Sequence, residues 1–222
     1  MLKKLSCEFE VKKMFKLENI SKSYGKKEIL KNITIEVEPG QAIGILGVNG
    51  SGKSTLLNCI AKSYPDNSEL KLGYVPQENP LFDELKPVDN IRMWTDLNRS
   101  QIAMALSLPP LSELGISNFL DTPVKSMSGG MKKRVSLASV LINCPQVLLL
   151  DEPFAALDLI AKQDILAYMS AFLSSGGSII IASHEEEIFN FCNKVFLLKD
   201  GSLIDTKDLA AKGISYIDML RN

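Results

Sequence analysis

Apolar residues in this chain follow two rhythms, and their alternation outlines the fold. Short continuous apolar runs at 42–46 (AIGIL), 147–150 (VLLL) and 179–182 (IIIA) have the length of strands buried on both faces. Ile33, Ile35 and Val37 in NITIEVEPG instead alternate with polar residues, the period of a half-buried strand, and Pro39-Gly40 ends it. FKLENI at 15–20, directly after Met14, and KLGYVP at 71–76 read as two more strands. Helical spacing takes over from Lys53, with Leu56, Leu57 and Ile60 on one side. Further helices are predicted at 129–143, 158–173 and 184–191, interleaved with strands at 146–150 and 178–182. This is the alternation that a mostly parallel sheet requires. Residues 194–205 read as a closing hairpin about Asp200-Gly201, followed by a short helical tail.

One stretch breaks the alternation. From about 88 to 126 the composition is helical, no β run occurs and Pro109-Pro110 interrupts it. It predicts a helical subdomain inserted between core strands, spanning approximately 80–140 once the following helix is included. The first thirteen residues have weak patterning, so 1–13 read as an N-terminal extension, disordered or preceding a true start at Met14, with one domain over 14–222.

Composition narrows the function classes. Acids and bases nearly balance, giving a net charge of −1, so there is no electrostatic footprint for wrapping nucleic acid. Cys7, Cys59, Cys144 and Cys192 lie far apart without a C-x-x-C pair, which predicts reduced thiols rather than a disulfide framework or zinc site. No apolar run approaches the roughly 20 residues that span a bilayer, and MLKKLSCEFEVKK lacks an apolar signal core.

The chemistry begins at GVNGSGKST, residues 47–55. Gly47, Gly50 and Gly52 let the backbone curl so that successive N–H groups, including those of Asn49 and Ser51, point into one cavity at a helix N-terminus. Unpaired amides and the helix dipole favour an anion there. Lys53 can reach the β- and γ-phosphates, the hydroxyl of Ser54 can ligate Mg²⁺, and Thr55 continues the helix. Asp151 closes an apolar strand at the sheet's carboxyl edge, where it can hold the magnesium. Glu152 follows it and is the candidate general base for an attacking water. Ser128 can cap a helix beginning near Gly129, and Gly129 and Gly130 allow close approach to a second phosphate. Together these predict an α/β fold with a P-loop NTPase core, a mostly parallel sheet, a small antiparallel β part and the inserted helical subdomain. ATP and Mg²⁺ are the expected ligands.

Over roughly residues 15–205 the chain resembles the nucleotide-binding domain of ABC (ATP-binding cassette) transporters. Tyr24 in SKSYGKK matches the aromatic residue that stacks on adenine in that family, and Gln77 in GYVPQ matches the glutamine that senses magnesium and the membrane partner. MSGGM at 127–131 stands where the family reads LSGGQ, AALD at 155–158 where it reads SALD, and His184 in IIIASHE where it places the γ-phosphate switch. The resemblance implies two ATPs sandwiched in a head-to-tail dimer, a homodimer or a pair of related cassettes. Ser128, Gly129 and Gly130 would act on the opposite subunit's ATP, with Asp158 in the adjoining loop. The replacement of serine by Ala155 removes a hydroxyl near that interface, and the short interval between Lys53 and Gln77 leaves little room for the family's accessory antiparallel strands.

The implied protein is a Mg-dependent ATPase subunit, cytoplasmic and peripheral at the inner face of the cell membrane, that powers a separate transmembrane permease. SGGMKKR and PLFDELKPVDNIRMW look most like small bacterial exporters of drugs, peptides or lantibiotics, and the short tail leaves no room for the regulatory domain of many sugar-import cassettes. The surface at 78–94, with Pro80, Leu81, Phe82, Leu85, Ile91, Met93 and Trp94, is the expected groove for a permease helix. The competing class is a soluble, non-transport ABC ATPase. Translation factors of that type carry two cassettes and DNA-repair types carry long coiled coils, and neither feature is present.

Overall fold

A computed structural model describes residues 15–63, 70–185, 187–213, 215 and 218. The expected extension at 1–13, and Met14 itself, lie outside the described residues. The fold is α/β, with one mostly parallel sheet and one small antiparallel sheet. β1 (Phe15–Tyr24) and β2 (Lys27–Val37) make the small sheet. The large sheet is built from β3 (Ala42–Leu46), β4 (Leu72–Val75), β5 (Val147–Asp151), β6 (Ser178–Ser183), β7 (Lys194–Lys199) and β8 (Ser202–Asp205). Its order is β4-β5-β6-β3-β7-β8, with every neighbouring pair parallel except β7 and β8.

The period-2 rule explains how one sheet serves two cores. In β5, Leu148 and Leu150 face one apolar cluster while Val147 and Leu149 face the other; in β6, Ile179 and Ile181 oppose Ile180 and Ala182 in the same way. The second cluster is closed by α1 (Lys53–Ser63), through Leu56, Leu57 and Ile60, and by Leu17, Leu30, Ile33 and Ile35 of the hairpin. The first is closed by α4 (Gly129–Leu141) and α5 (Leu159–Ser174), together with the residues between β4 and α4. These last form α2 (Pro87–Arg92), α3 (Arg99–Leu106) and three single 3₁₀ turns at Leu111–Leu114, Ile116–Phe119 and Val124–Ser126. Pro87 starts α2 where its missing N–H is harmless, and Asn98 with Gln101 makes a capping box for α3. The remaining described helices are α6 (Glu187–Phe191), between β6 and β7, and α7 (Thr206–Ala211), after β8.

Three details differ from the sequence reading. The hairpin strands extend through SKSYGKKEIL, which the pattern left unassigned because few of its residues are apolar; Gly25, at φ 59°, allows the tight reversal beside Tyr24. α6 begins at Glu187 rather than at 184, because the Ser183 hydroxyl accepts from the Glu185 N–H at 3.1 Å and makes a local turn instead. Cys59 and Cys192 are free thiols, but Cys144 is disulfide-bonded, against the expectation of reduced thiols. Spacing along the chain does not limit which cysteines the fold brings together.

Candidate functional site

The loop after β3 and the first turn of α1 form the floor of the site. Gly52 stands at φ 106°, and a Cβ on it would lie 2.8 Å from Ile29 Cγ2, so only glycine lets the loop press against the hairpin. The Leu56 N–H bonds the Gly52 carbonyl at 2.8 Å, opening α1 directly from the loop. Lys53 is buried at 6% exposure, and its ammonium turns back to donate to the carbonyls of Gly47 (2.7 Å) and Val48 (3.4 Å).

The same ammonium pairs with Glu152 Oε1 at 3.3 Å. Glu152 leaves the β5 ladder at φ 45°, an uncommon region for a residue with a Cβ, and its N–H is held by the Ala182 carbonyl at 2.8 Å. That turn aims its carboxylate at three donors. Besides Lys53, the Ser183 hydroxyl donates to Oε2 at 3.3 Å and His184 Nδ1 donates to it at 2.9 Å. An ionised carboxylate only accepts, so Nδ1 carries the imidazole proton.

Asp151 is buried and differently served. Its Oδ2 accepts from the Tyr74 hydroxyl at 3.4 Å, and that hydroxyl in turn accepts from Asn58 Nδ2 at 3.3 Å. Burial, reinforced by the negative charge of Asp151 and the bond to it, pushes the Tyr74 phenol up to about 12, so it stays a donor. Asp151 Oδ1 is buried with no hydrogen-bond partner. A bare carboxylate oxygen suits a hard cation, and the exposed hydroxyl of Ser54 and amide of Gln77 stand on neighbouring elements. Among the described residues no group of three or more His, Cys, Asp or Glu could cage a metal unaided. Such a donor set fits Mg²⁺ completed by phosphate oxygens and water.

A cleft of about 470 Å³ opens above these groups. Of the residues singled out from sequence, Tyr24, Asn49, Gly50, Gly52, Lys53, Ser54, Thr55, Gln77 and Glu152 line it. Tyr24 stands on its rim, 60% exposed, with the Lys22 ammonium 5.4 Å from its ring centre. His184 joins the cleft through Glu152. Gly47 and Ser51 lie within the loop rather than on the cleft wall, the Ser51 hydroxyl buried without a partner.

Ser128, Gly129, Gly130 and Asp158 do not line this cleft. Ser128 caps α4, its hydroxyl accepting from the Met131 N–H at 3.3 Å, and Asp158 caps α5 by accepting from the Ala161 N–H at 2.8 Å. The two caps adjoin, because a Cβ on Gly130 would lie 2.6 Å from Ala161 Cβ. Ser128, Gly129 and Asp158 all face solvent.

Four contributors escaped the sequence reading: Tyr74 and Asn58 behind Asp151, Ser183 on Glu152, and Lys133. The Lys133 ammonium is buried and donates to the carbonyls of Pro76 (3.0 Å) and Gln77 (3.3 Å). Burial pulls it down to about 8, against the upward pull of Asp151 and Glu152. Ser183 carried a signal in its place beside His184; the others depend on strand register and helix packing. A second, apolar pocket of about 270 Å³ lies beside Pro76, between Pro80, Leu81 and Trp94 on one side and Ser136, Ser139 and Val140 of α4 on the other. Trp94 of this pocket is exposed, as are Phe82 and Met93, whereas Ile91 is wholly buried.

The family model described as ABC transporter matches residues 30–155. The lantibiotic transport ATP-binding protein SrtF of Streptococcus pyogenes is 31% identical over 210 residues, covering 88% of this chain and 91% of SrtF. The methionine import ATP-binding protein MetN of Clostridioides difficile is 31% identical over 221 residues, covering 88% of this chain and 68% of MetN. Among solved structures, a nucleotide-free ATP-binding cassette from an ABC transporter superposes with a TM-score of 0.76 at 21% identity, covering 92% of this chain and 98% of that one. That likeness bears on the fold.

Proposed function

The chain belongs to the ABC transporter family, as an ATP-binding ATPase subunit, and from that premise we propose that it hydrolyses Mg·ATP to drive a separate membrane permease, in the export direction. The observation that carries the reading is the buried Glu152 carboxylate, on which Lys53, Ser183 and His184 converge at the wall of the cleft.

Each side chain then has a role set by its position. Lys53 exchanges the carbonyls of Gly47 and Val48, and the Glu152 carboxylate, for phosphate oxygens, and stabilises the charge that develops on the transferred group. Glu152, released from Lys53, accepts a proton from the attacking water. His184 holds Glu152 in place and orients the γ-phosphate. Tyr24 offers its exposed ring to the adenine. Mg²⁺, when bound, neutralises phosphate charge, and Asp151, Ser54 and Gln77 would hold it.

The capped loop presents Ser128 and Gly129 to solvent and lines no part of the chain's own cleft, while Gly130 is buried beside Ala161, which supports the loop's serving the ATP of a second subunit in a homodimer or paired cassette, with Asp158 beside it. Among the described residues no helix is long and apolar enough to cross a membrane. The proposed location is therefore the inner face of the cell membrane, through the permease, whose cytoplasmic helix would seat in the apolar pocket at Trp94. The export reading rests on the resemblance of SGGMKKR and PLFDELKPVDNIRMW to small exporter cassettes, since the relatives include the lantibiotic transport protein SrtF and the methionine import protein MetN alike. Recovery of the partner membrane protein with this chain from its native host tests the direction.

The ATPase itself is tested by Lys53→Ala. Wild-type protein is expected to turn over ATP only with Mg²⁺, and the variant to lose both binding and turnover. Undiminished hydrolysis by the variant would overturn the assignment of the cleft.

A further inference from the structure

The β4 ladder ends at Val75, paired with Leu150. The next residue, Pro76, has no N–H, so its carbonyl is its whole hydrogen-bonding capacity, and Lys133 takes it together with the carbonyl of Gln77. Beyond Gln77 the chain is tied to the helical side. Lys132 pairs with Asp83 at 3.0 Å, the N–H groups of Val124 and Lys125 bond the carbonyls of Leu85 and Asp83, and Asn143 donates to the Trp94 carbonyl at 2.8 Å. Lys133 thus sits where the chain passes from the sheet to the helical body.

Filling space does not account for a lysine here. An ammonium costs more to bury than an apolar chain of equal length, and this one spends its donors on two neutral carbonyls. It stands five residues past Ser128 on α4, about 7.5 Å along a stiff helix.

We propose that Lys133 is a positioning residue: it clamps the backbone at Pro76 and Gln77 to α4, so that the cleft wall at Gln77, the Ser128–Gly130 loop and the apolar pocket at Trp94 move as one body. The inference rests on the ATPase reading above. Nucleotide entering beside Gln77 then shifts the loop that serves the second subunit and the pocket that faces a partner by the same motion.

Trp94 is the only tryptophan in the chain and lines that pocket with Pro76, so its fluorescence reports the motion. Lys133→Met keeps the chain length and removes the donors; Lys133→Gln and Lys133→Arg restore donors. In the wild type, Mg·ATP is expected to shift Trp94 emission. Lys133→Met is expected to bind ATP nearly as well, to lose the emission shift, and to lose about ten- to a hundredfold in kcat with little change in KM. The donor-bearing variants are expected to recover part of both signals, and they carry the test should Lys133→Met fail to fold. A normal emission shift and kcat in Lys133→Met, or equal impairment in all three variants, would overturn the proposal. If the wild type neither hydrolyses ATP nor responds to it, the ATPase reading falls instead.

Discussion

Replacing Glu152 by Gln separates binding from chemistry, and the geometry sets the size of both effects. The side chain keeps its length and one acceptor oxygen, so the bonds from Ser183 and His184 can persist, but the charge facing Lys53 disappears. Lys53 and Glu152 are each about 6% exposed, so water does little to screen the pair. A hydrogen bond to a charged group contributes about 1.5–3 kcal/mol. The 3.3 Å separation is longer than the best charge-assisted contacts, which puts this one near the lower end, about 1.5 kcal/mol. Phosphate must displace that contact in the wild type, so the variant should bind ATP roughly tenfold more tightly. Loss of the base should lower kcat by about 10²–10⁴-fold, or roughly 3–5 kcal/mol of barrier. Equilibrium titration measures the first effect, single-turnover hydrolysis the second, and light scattering the ATP-bound dimer expected to accumulate. Normal hydrolysis, or a variant that stays monomeric at saturating ATP, would refute the reasoning.

Three further outcomes follow from single positions. Tyr24→Ala should weaken ATP binding about fivefold or more while Tyr24→Phe changes little, since base stacking on an aromatic ring is worth about 1–3 kcal/mol; titration with ATP distinguishes them. Phe82→Asp should leave ATP binding intact and uncouple transport, because the Phe82 backbone is held on both sides by Asn90 while its ring is 52% exposed; loss of the folded circular dichroism spectrum would place Phe82 in the core instead. Tyr74→Phe should remove an ultraviolet tyrosinate step near pH 12. A phenol held above its usual 10.0 in the folded state contributes stability that is complete below pH 10 and lost as pH rises towards 12, so the variant should lose less of its stability across that window.

Much of the frame was legible in the chain because local rules carry it. Runs such as VLLL and IIIA, each followed by a charged or polar residue, mark strands whose carboxyl ends gather at one edge, and the GVNGSGKST loop marks this edge as the candidate phosphate site. The reach of β1 and β2 through SKSYGKKEIL was hidden, since the residues that pair there are mostly polar and the hairpin is stabilised by pairing across strands rather than by any periodicity. The disulfide at Cys144 and the local turn at Ser183 were hidden for a similar reason, as both depend on which atoms meet.

The sequence by itself determined the order of strands and helices, the phosphate loop, and the types of side chain offered to the site. Those follow from periods of two and 3.6 residues and from short-range backbone geometry, which act within a few positions along the chain. Only the tertiary structure decided who meets whom. It set Glu152 between Lys53, Ser183 and His184, put Tyr74 rather than a nearer residue behind Asp151, and drew Lys133 onto the carbonyls of Pro76 and Gln77 from 57 and 56 positions away. Those contacts join residues on different elements, and strand register and helix packing fix them only when the whole core closes.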